Sequence, residues 1–375
     1  MYIMLDLLDC LILQDIEQVG SEIILKLNSR FESIDDIWES PRSELEDIIG
    51  GGEVVNNILK SKSIDKKKYA SSINLARGKG IQIYCIFDEE YPGVLKDLKD
   101  PPPVLYIKGE LPEDINKNVA ITGARNITHH GNRLTRDCGK TLAENGYIVI
   151  SGLSRGADTA AHLGALDGGG RTIAVLGSGV DEIYPSENDE LSKDIVNNGG
   201  ALISESPPGA GCQDLRLKER NRLISCLSKA VIAAEVKEKT GTSIAVQHAV
   251  QLGRKIFVIP VLRESSTNYT NYQKDLVYLG AINVLDPADV LNNLLNDRGY
   301  IEVSDFLHFI SNDFKINYNE IAEKETKLNS IPETDDNNER FILKDSISST
   351  KKEDKRKGKK KHIEGDKITK LSMYS

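Results

Sequence analysis

Apolar residues in the first 75 positions recur at three- and four-residue steps. Leu5, Leu8, Ile12, Ile16 and Val19 precede Gly20, and Ile23, Ile24 and Leu27 repeat the spacing. Ile34, Ile37 and Trp38 make a third stripe, and Leu45, Ile48 and Ile49 a fourth, ended by Gly50-Gly51-Gly52. These stripes lack β-branched runs and predict a small all-helical domain over residues 1–75.

From Ile81 the period changes. Short β-branched runs at 81–86, 104–107, 119–122, 147–150, 172–176, 201–203, 230–234, 255–259 and 282–285 predict strands. Amphipathic segments at 134–145, 158–166, 187–198, 219–227 and 243–252 predict the helices between them, several meeting Gly or Asn at their ends. Alternation of this kind is the mark of a mainly parallel, doubly wound α/β sheet. Runs that are apolar throughout, such as 231–234, fit strands buried on both faces. The domain is expected over residues 76–300.

Beyond residue 300 the pattern fades. Residues 320–349 are polar and acidic, and 351–370 hold ten Lys/Arg against four Asp/Glu, a net +6 that leaves -15 for the rest. Residues 301–375 are therefore expected to be a polar linker and a disordered basic tail.

The composition fits a folded chain of two or three units: 375 residues, 39% hydrophobic, 28% charged, net charge -9. No apolar run approaches the roughly 18 residues of a membrane helix, and the apolar start meets Asp6 and Asp9 where a leader would be basic. A cytoplasmic protein is expected. Five scattered cysteines without a C-x-x-C pair suit a reduced compartment and suggest neither disulfides nor a zinc site. His129-His130 has no second ligand cluster at metal spacing and reads as loop or helix-start polar residues.

Ligands of doubly wound sheets bind outside the carboxyl ends of the strands, so the loops there carry the candidate chemistry. Gly123-Ala124-Arg125, the run Ser151-Gly152-Leu153-Ser154-Arg155-Gly156-Ala157-Asp158, Gly177-Ser178-Gly179 and Thr240-Gly241-Thr242-Ser243 each join glycine to a following helix start. One such loop is ordinarily a tight turn. Four on one edge, two with arginine, point to anion binding. The dinucleotide fingerprint is absent, since Glu182 stands where its third glycine belongs, and no Walker sequence occurs.

Arg216, Lys218, Arg220 and Arg222 cluster at a helix entrance, where the dipole favours acids instead. A polyanion would satisfy them; the alternatives are a solvated surface or an internal salt bridge with Glu205 or Glu219. On a regular helix Arg220 and Arg222 diverge by about 200°, so one faces the groove, and Arg220 is the choice. No nucleophile elbow or carboxylate pair stands out for catalysis, and Asp158 with His162 reads as a loop brace.

These motifs, taken in order, resemble the DNA-processing protein A family (DprA/Smf). The likeness runs from Asp88-Glu89-Glu90-Tyr91-Pro92 and Asp100-Pro101-Pro102-Pro103 through Gly123-Ala124-Arg125, Ser151-Gly152 to Asp158, and Gly170 to Gly177 with Tyr184-Pro185. It continues through Pro207-Pro208-Gly209, Arg220-Asn221-Arg222 and Gly253-Arg254, ending at Pro260. The resemblance implies a Rossmann-like, non-enzymatic protein preceded by a helical domain of the sterile-alpha-motif type. It further implies a homodimer that binds single-stranded DNA and loads the RecA recombinase in natural transformation. The arginines of its DNA pocket correspond to Arg125, Arg220 and Arg222. With the loop reading, the expected DNA-binding set is Gly123, Arg125, Ser151, Gly152, Arg155, Gly156, Lys218, Arg220, Asn221, Arg222, Gly241 and Thr242, with no catalytic residue, cofactor or metal.

The sequence departs from the family at three places. Leu217-Lys218 replaces the Phe-Pro ahead of Arg-Asn-Arg, removing a stacking platform worth roughly 1 to 3 kcal/mol per base. The stretch 261–280 diverges, and 301–375 lacks a winged-helix pattern. The alternative reading is a nucleotide-binding enzyme or sensor akin to cytokinin-activating phosphoribohydrolases. Thr240-Gly241-Thr242-Ser243 is similar to their Gly-rich loop, but Ala245 stands where their catalytic glutamate belongs.

Overall fold

The strands assemble, in the computed structural model, into one nine-stranded sheet among the described residues, which are 4–111, 114–261, 267–296 and 298–311. They are β1 (Gln82–Cys85), β2 (Val104–Gly109), β3 (Asn118–Gly123), β4 (Ile148–Ser151), β5 (Thr172–Leu176), β6 (Ala201–Ser204), β7 (Ala230–Ala234), β8 (Lys255–Ile259) and β9 (Ile282–Asn283). Their order across the sheet is β1-β2-β6-β5-β4-β3-β7-β8-β9. β2 runs antiparallel to both its neighbours; every other pairing is parallel. The chain winds outward one way from β3 through β4, β5 and β6, then restarts at β7 on the other side of β3. The topological switch point therefore lies between β3 and β7.

The first helices are α1 (Leu7–Gln14), α2 (Ser21–Asn28), α3 (Ile34–Glu39), α4 (Arg42–Ile49), α5 (Gly52–Lys60) and α6 (Lys66–Gly78). Their apolar stripes, including Ile12, Leu27, Ile37, Leu45 and Ile58, share one core with Ala174 and Leu176 of β5 and Leu202 of β6. Around the sheet lie α7 (His129–Glu144), α8 (Ala157–Asp167), α9 (Asp189–Asn197), α10 (Asp214–Glu219), α11 (Asn221–Cys226), α12 (Gly241–Gln251), α13 (Thr267–Leu279), α14 (Pro287–Leu294) and α15 (Val303–Ile310). Successive residues of each strand feed opposite faces. Ala230, Ile232 and Ala234 pack with α7, α8 and α14, while Val231 and Ala233 pack with α11, α12 and Phe306 of α15.

Three expectations are corrected by local chemistry. The helix expected at 219–227 is two short helices meeting at Arg220, which belongs to neither. The helix expected from residue 134 begins at His129, because the Thr128 hydroxyl caps it by accepting the Gly131 N–H at 3.0 Å. Residues 303–310, expected to lie in the linker, form a helix instead. Val303, Phe306, Leu307 and Ile310 have the i, i+3, i+4, i+7 spacing of an amphipathic helix, and Phe306 is buried. The acidic stretch and basic tail lie outside the described residues.

α7 and α8 cross at backbone contact, because Gly139 faces the Ala161 carbonyl and Gly164 the Arg136 carbonyl. A Cβ on Gly139 would sit 2.6 Å from that oxygen. Gly164→Ala should cost about 1 to 3 kcal/mol and lower Tm by several degrees, since backbone must shift. Gly78→Ala, facing open space in α6, should leave Tm unchanged or raise it, and thermal melts of the two variants check both expectations.

Candidate functional site

β3 ends at Gly123 and β7 at Ala234, side by side, so the loops that follow them open the sheet's carboxyl edge at the switch point. A cavity of about 480 Å³ lies there. Its walls are Thr122 to Asn126 at the end of β3 and beyond, Ser154 and Asp158 after β4, and Asp214, Leu217, Lys218, Arg220 and Asn221 from α10, its joint with α11 and the start of α11. Glu235 and Lys237 after β7, with Thr240 to Thr242 at the start of α12, close it. The edge thus gathers segments far apart in sequence.

The floor is built around Arg220, which is 4% exposed. Nη1 donates to the Val175 carbonyl of β5, Nη2 donates to Ser154 Oγ at 3.0 Å, and Asp158 Oδ2 lies 3.6 Å from Nη2. Burial pulls this guanidinium below its ordinary pKa, with Asp158 opposing and the Arg125 charge adding to the fall. The Arg220 side chain passes over Gly152, where a Cβ would overlap the guanidinium. Only glycine fits there. Asn221 braces the next wall, donating to Leu217 O at 3.2 Å and to Gly241 O at 3.1 Å, which ties α11 to the start of α12. That start carries a capping box between Thr240 and Ser243, and its positive end lies at Gly241 and Thr242, on the cavity wall.

Two cations complete the rim. Arg125 and Lys218 are exposed, line the cavity, and make no ion pair or side-chain hydrogen bond among the described residues. Of the expected set, Gly123, Arg125, Lys218, Arg220, Asn221, Gly241 and Thr242 line this cavity, and the other five do not. Ser151 is fully buried, its hydroxyl donating to Ile121 O at 2.5 Å. Gly152 lies under Arg220, and Gly156 packs on the backbone of Ala124 and Arg125. Arg155 points outward into a bidentate pair with Glu187, both bonds 2.7 Å. Arg222 turns away from Arg220 and pairs internally with Glu205 at 2.5 Å, with Asp100 at 4.0 Å, the salt-bridge alternative weighed above.

Sequence reasoning missed Asn126, Asp214, Glu235 and Lys237. Glu235 and Lys237 carried a signal: charges placed directly after a strand buried on both faces emerge at its carboxyl end, where ligands bind. Among the described residues no group of three or more His, Cys, Asp or Glu is placed to hold a metal ion, and no helix is long and apolar enough to cross a membrane.

His162 lies fully buried beneath the floor. The Thr172 hydroxyl donates to Val149 O at 2.6 Å, so the 2.7 Å contact between His162 Nδ1 and that hydroxyl is best made by an Nδ1–H donor. Asp158 serves instead as the loop brace, accepting the Ser154 N–H at 3.2 Å. Burial, with the Arg220 charge adding, pushes His162 down to about 3, and burial with Arg222 pushes His248 to about 4. Unfolded histidine titrates near 6.5, so between those values and about 6.5 the unfolded chain binds more protons. Stability should therefore fall as pH drops below about 6.5, by up to roughly 1.4 kcal/mol per pH unit per histidine. His162→Asn, which keeps a donor for Thr172, should remove up to one histidine's share of that slope in urea melts from pH 7 to 4.5; an unchanged slope would contradict it.

Comparison with known proteins bears on this geometry. The family model described as DNA recombination-mediator protein A matches residues 82–295. The chain is 30% identical over 307 residues to protein Smf of Synechocystis sp., covering 76% of each. It is 38% identical over 179 residues to the DNA processing protein DprA of Streptococcus pneumoniae, covering 47% of this chain and 62% of that one. The X-ray structure of DNA processing protein A from S. pneumoniae matches with a TM-score of 0.64 at 30% identity, covering 76% of this chain and 97% of that one. DNA processing protein A from Helicobacter pylori, a structure described for its single-stranded DNA binding mode, matches with a TM-score of 0.50 at 28% identity. That match covers 58% of this chain and 97% of the other.

Proposed function

The chain belongs to the DNA recombination-mediator protein A family, and from that premise we propose that it binds single-stranded DNA at the switch-point cavity and delivers it to a RecA-type recombinase as a homodimer. The observation that carries the DNA-binding reading is the pair of exposed cations, Arg125 and Lys218, which have no ion pair or side-chain hydrogen bond among the described residues and stand beside the positive end of α12. Phosphate oxygens are the groups that such donors fit. The H. pylori relative, described by its single-stranded DNA binding, supports the same ligand class. Recombinase delivery and dimerisation rest on the family resemblance.

The division of the edge sets the role of each residue. Arg125 and Lys218 take phosphates, whereas Arg220 supplies positive potential from below while its Nη atoms stay bonded to protein. Leu217 lines the cavity 9% exposed, so its wall is aliphatic where the family has an aromatic. Affinity then depends on charge, with little sequence preference. The phosphoribohydrolase alternative has no support at its key position, since Ala245 is fully buried.

Binding of a labelled dT oligonucleotide across a salt series tests the reading. Affinity should fall as salt rises, and Arg125→Ala or Lys218→Ala should weaken it roughly tenfold and reduce the log–log salt slope by about 0.7, with Tm near wild type. Arg220→Ala should instead lower Tm markedly, because Asp158 is left buried without its cation. No binding at low salt, or unchanged binding in both rim variants, would remove DNA from this edge. Failure to speed RecA assembly on the same oligonucleotide, or a monomeric mass at micromolar concentration, would remove those parts of the proposal.

A further inference from the structure

In a Rossmann-like sheet, the helix after the strand at the switch point presents free N–H groups to an anion, and nucleotide phosphates occupy that seat. Here the helix is α7, sixteen residues long with Thr128 as its N-cap. Its seat is filled from within the chain. Glu235, the residue after β7, is 2% exposed, and its Oε2 accepts the Thr128 N–H at 2.9 Å while Oε1 accepts the Thr128 hydroxyl. Gly131, in the first turn, lies so close that a Cβ would overlap the carboxylate.

The backbone holds Glu235 in place. Its N–H donates to Ile259 O of β8 at 2.9 Å, and its φ is +47°, a left-handed conformation that residues with a Cβ adopt where their surroundings enforce it. The loop that presents Arg125 is consequently tied at both ends to the carboxyl end of β7. Ala124 N–H donates to Ala234 O at 3.0 Å, and Thr128 donates to Glu235.

We propose that Glu235 is a specificity-determining residue, an internal anion that closes the α7 N-terminus to nucleotide phosphates while fixing the loop from which Arg125 reaches the cavity. A terminal phosphate would need the donors that Glu235 already holds, and would meet its negative charge there. A polynucleotide backbone crossing the rim meets Arg125 and Lys218 and has no need of those donors. Only the positioning half of the inference rests on the DNA-binding reading.

Isothermal titration of the full chain with inorganic pyrophosphate and, separately, with a dT oligonucleotide tests both halves. E235G vacates the seat with a residue suited to positive φ, and E235N, short and tolerant of the same φ, is the second vacating variant should E235G fail to fold. The vacating variant should bind pyrophosphate at least tenfold more tightly than wild type and lose about tenfold in oligonucleotide affinity. E235Q, which fills the seat and accepts the Thr128 N–H but lacks the charge, should match wild type with the oligonucleotide within about twofold and bind pyrophosphate with an affinity between those of wild type and the vacating variant. Equal pyrophosphate affinity in wild type and a folded vacating variant would overturn the closed seat. Equal oligonucleotide affinity would overturn the positioning role. Wild type failing to bind the oligonucleotide would sink the proposed function, and the pyrophosphate arm would still decide this one.

Discussion

Burying the Arg220 guanidinium at the ends of β4 and β5 removes a full charge from water, which costs several kcal/mol unless protein groups replace the solvent. The replacements come from three places: the Val175 carbonyl, the Ser154 hydroxyl and the Asp158 carboxylate. Each is on a different segment, so the contacts of the two Nη atoms tie together β5, the loop after β4, the first turn of α8 and the joint between α10 and α11. Gly152 is the steric counterpart of the same arrangement, because only a residue without a Cβ lets the guanidinium pass. These contacts hold the segments of the carboxyl edge to one another, and a fixed geometry is what the proposed anion site on loops requires.

On that floor the charges divide into fixed and free. Arg220, Asn221 and Glu235 are buried and bonded to protein, whereas Arg125 and Lys218 stand exposed on the rim. The chain's net charge of -9 does not oppose a polyanion at this point, since charges beyond about 8 Å are largely screened at physiological salt. Arg155 and Arg222, which the sequence groups with the others, are neutralised by Glu187 and Glu205 and take no part in the rim.

The sheet was legible in the sequence because its inner strands, β3 to β8, are buried on both faces and read as short, largely apolar runs; β7, the five residues Ala230–Ala234, is the plainest case. The Gly-rich loops were legible through the rule that strand ends carry ligands. What could not be read was which polar side chains have protein partners. Ser151 finds Ile121 thirty residues away and Arg155 finds Glu187 thirty-two away, and such pairings exist only once the sheet order is known. Glu235 was hidden for the same reason, as its partner Thr128 is 107 residues distant. The helix α15 was missed although its spacing was present, because the polar stretch beyond it dominated the reading.

The most direct test of the edge as the DNA-binding surface is hydrogen–deuterium exchange of the full chain with and without a saturating dT oligonucleotide. The account predicts slowed exchange of the amides at residues 123–126, 214–221 and 237–242, with α1 to α6 unchanged. Slowing confined to α1 to α6, or saturating binding with no change at those three segments, would contradict it.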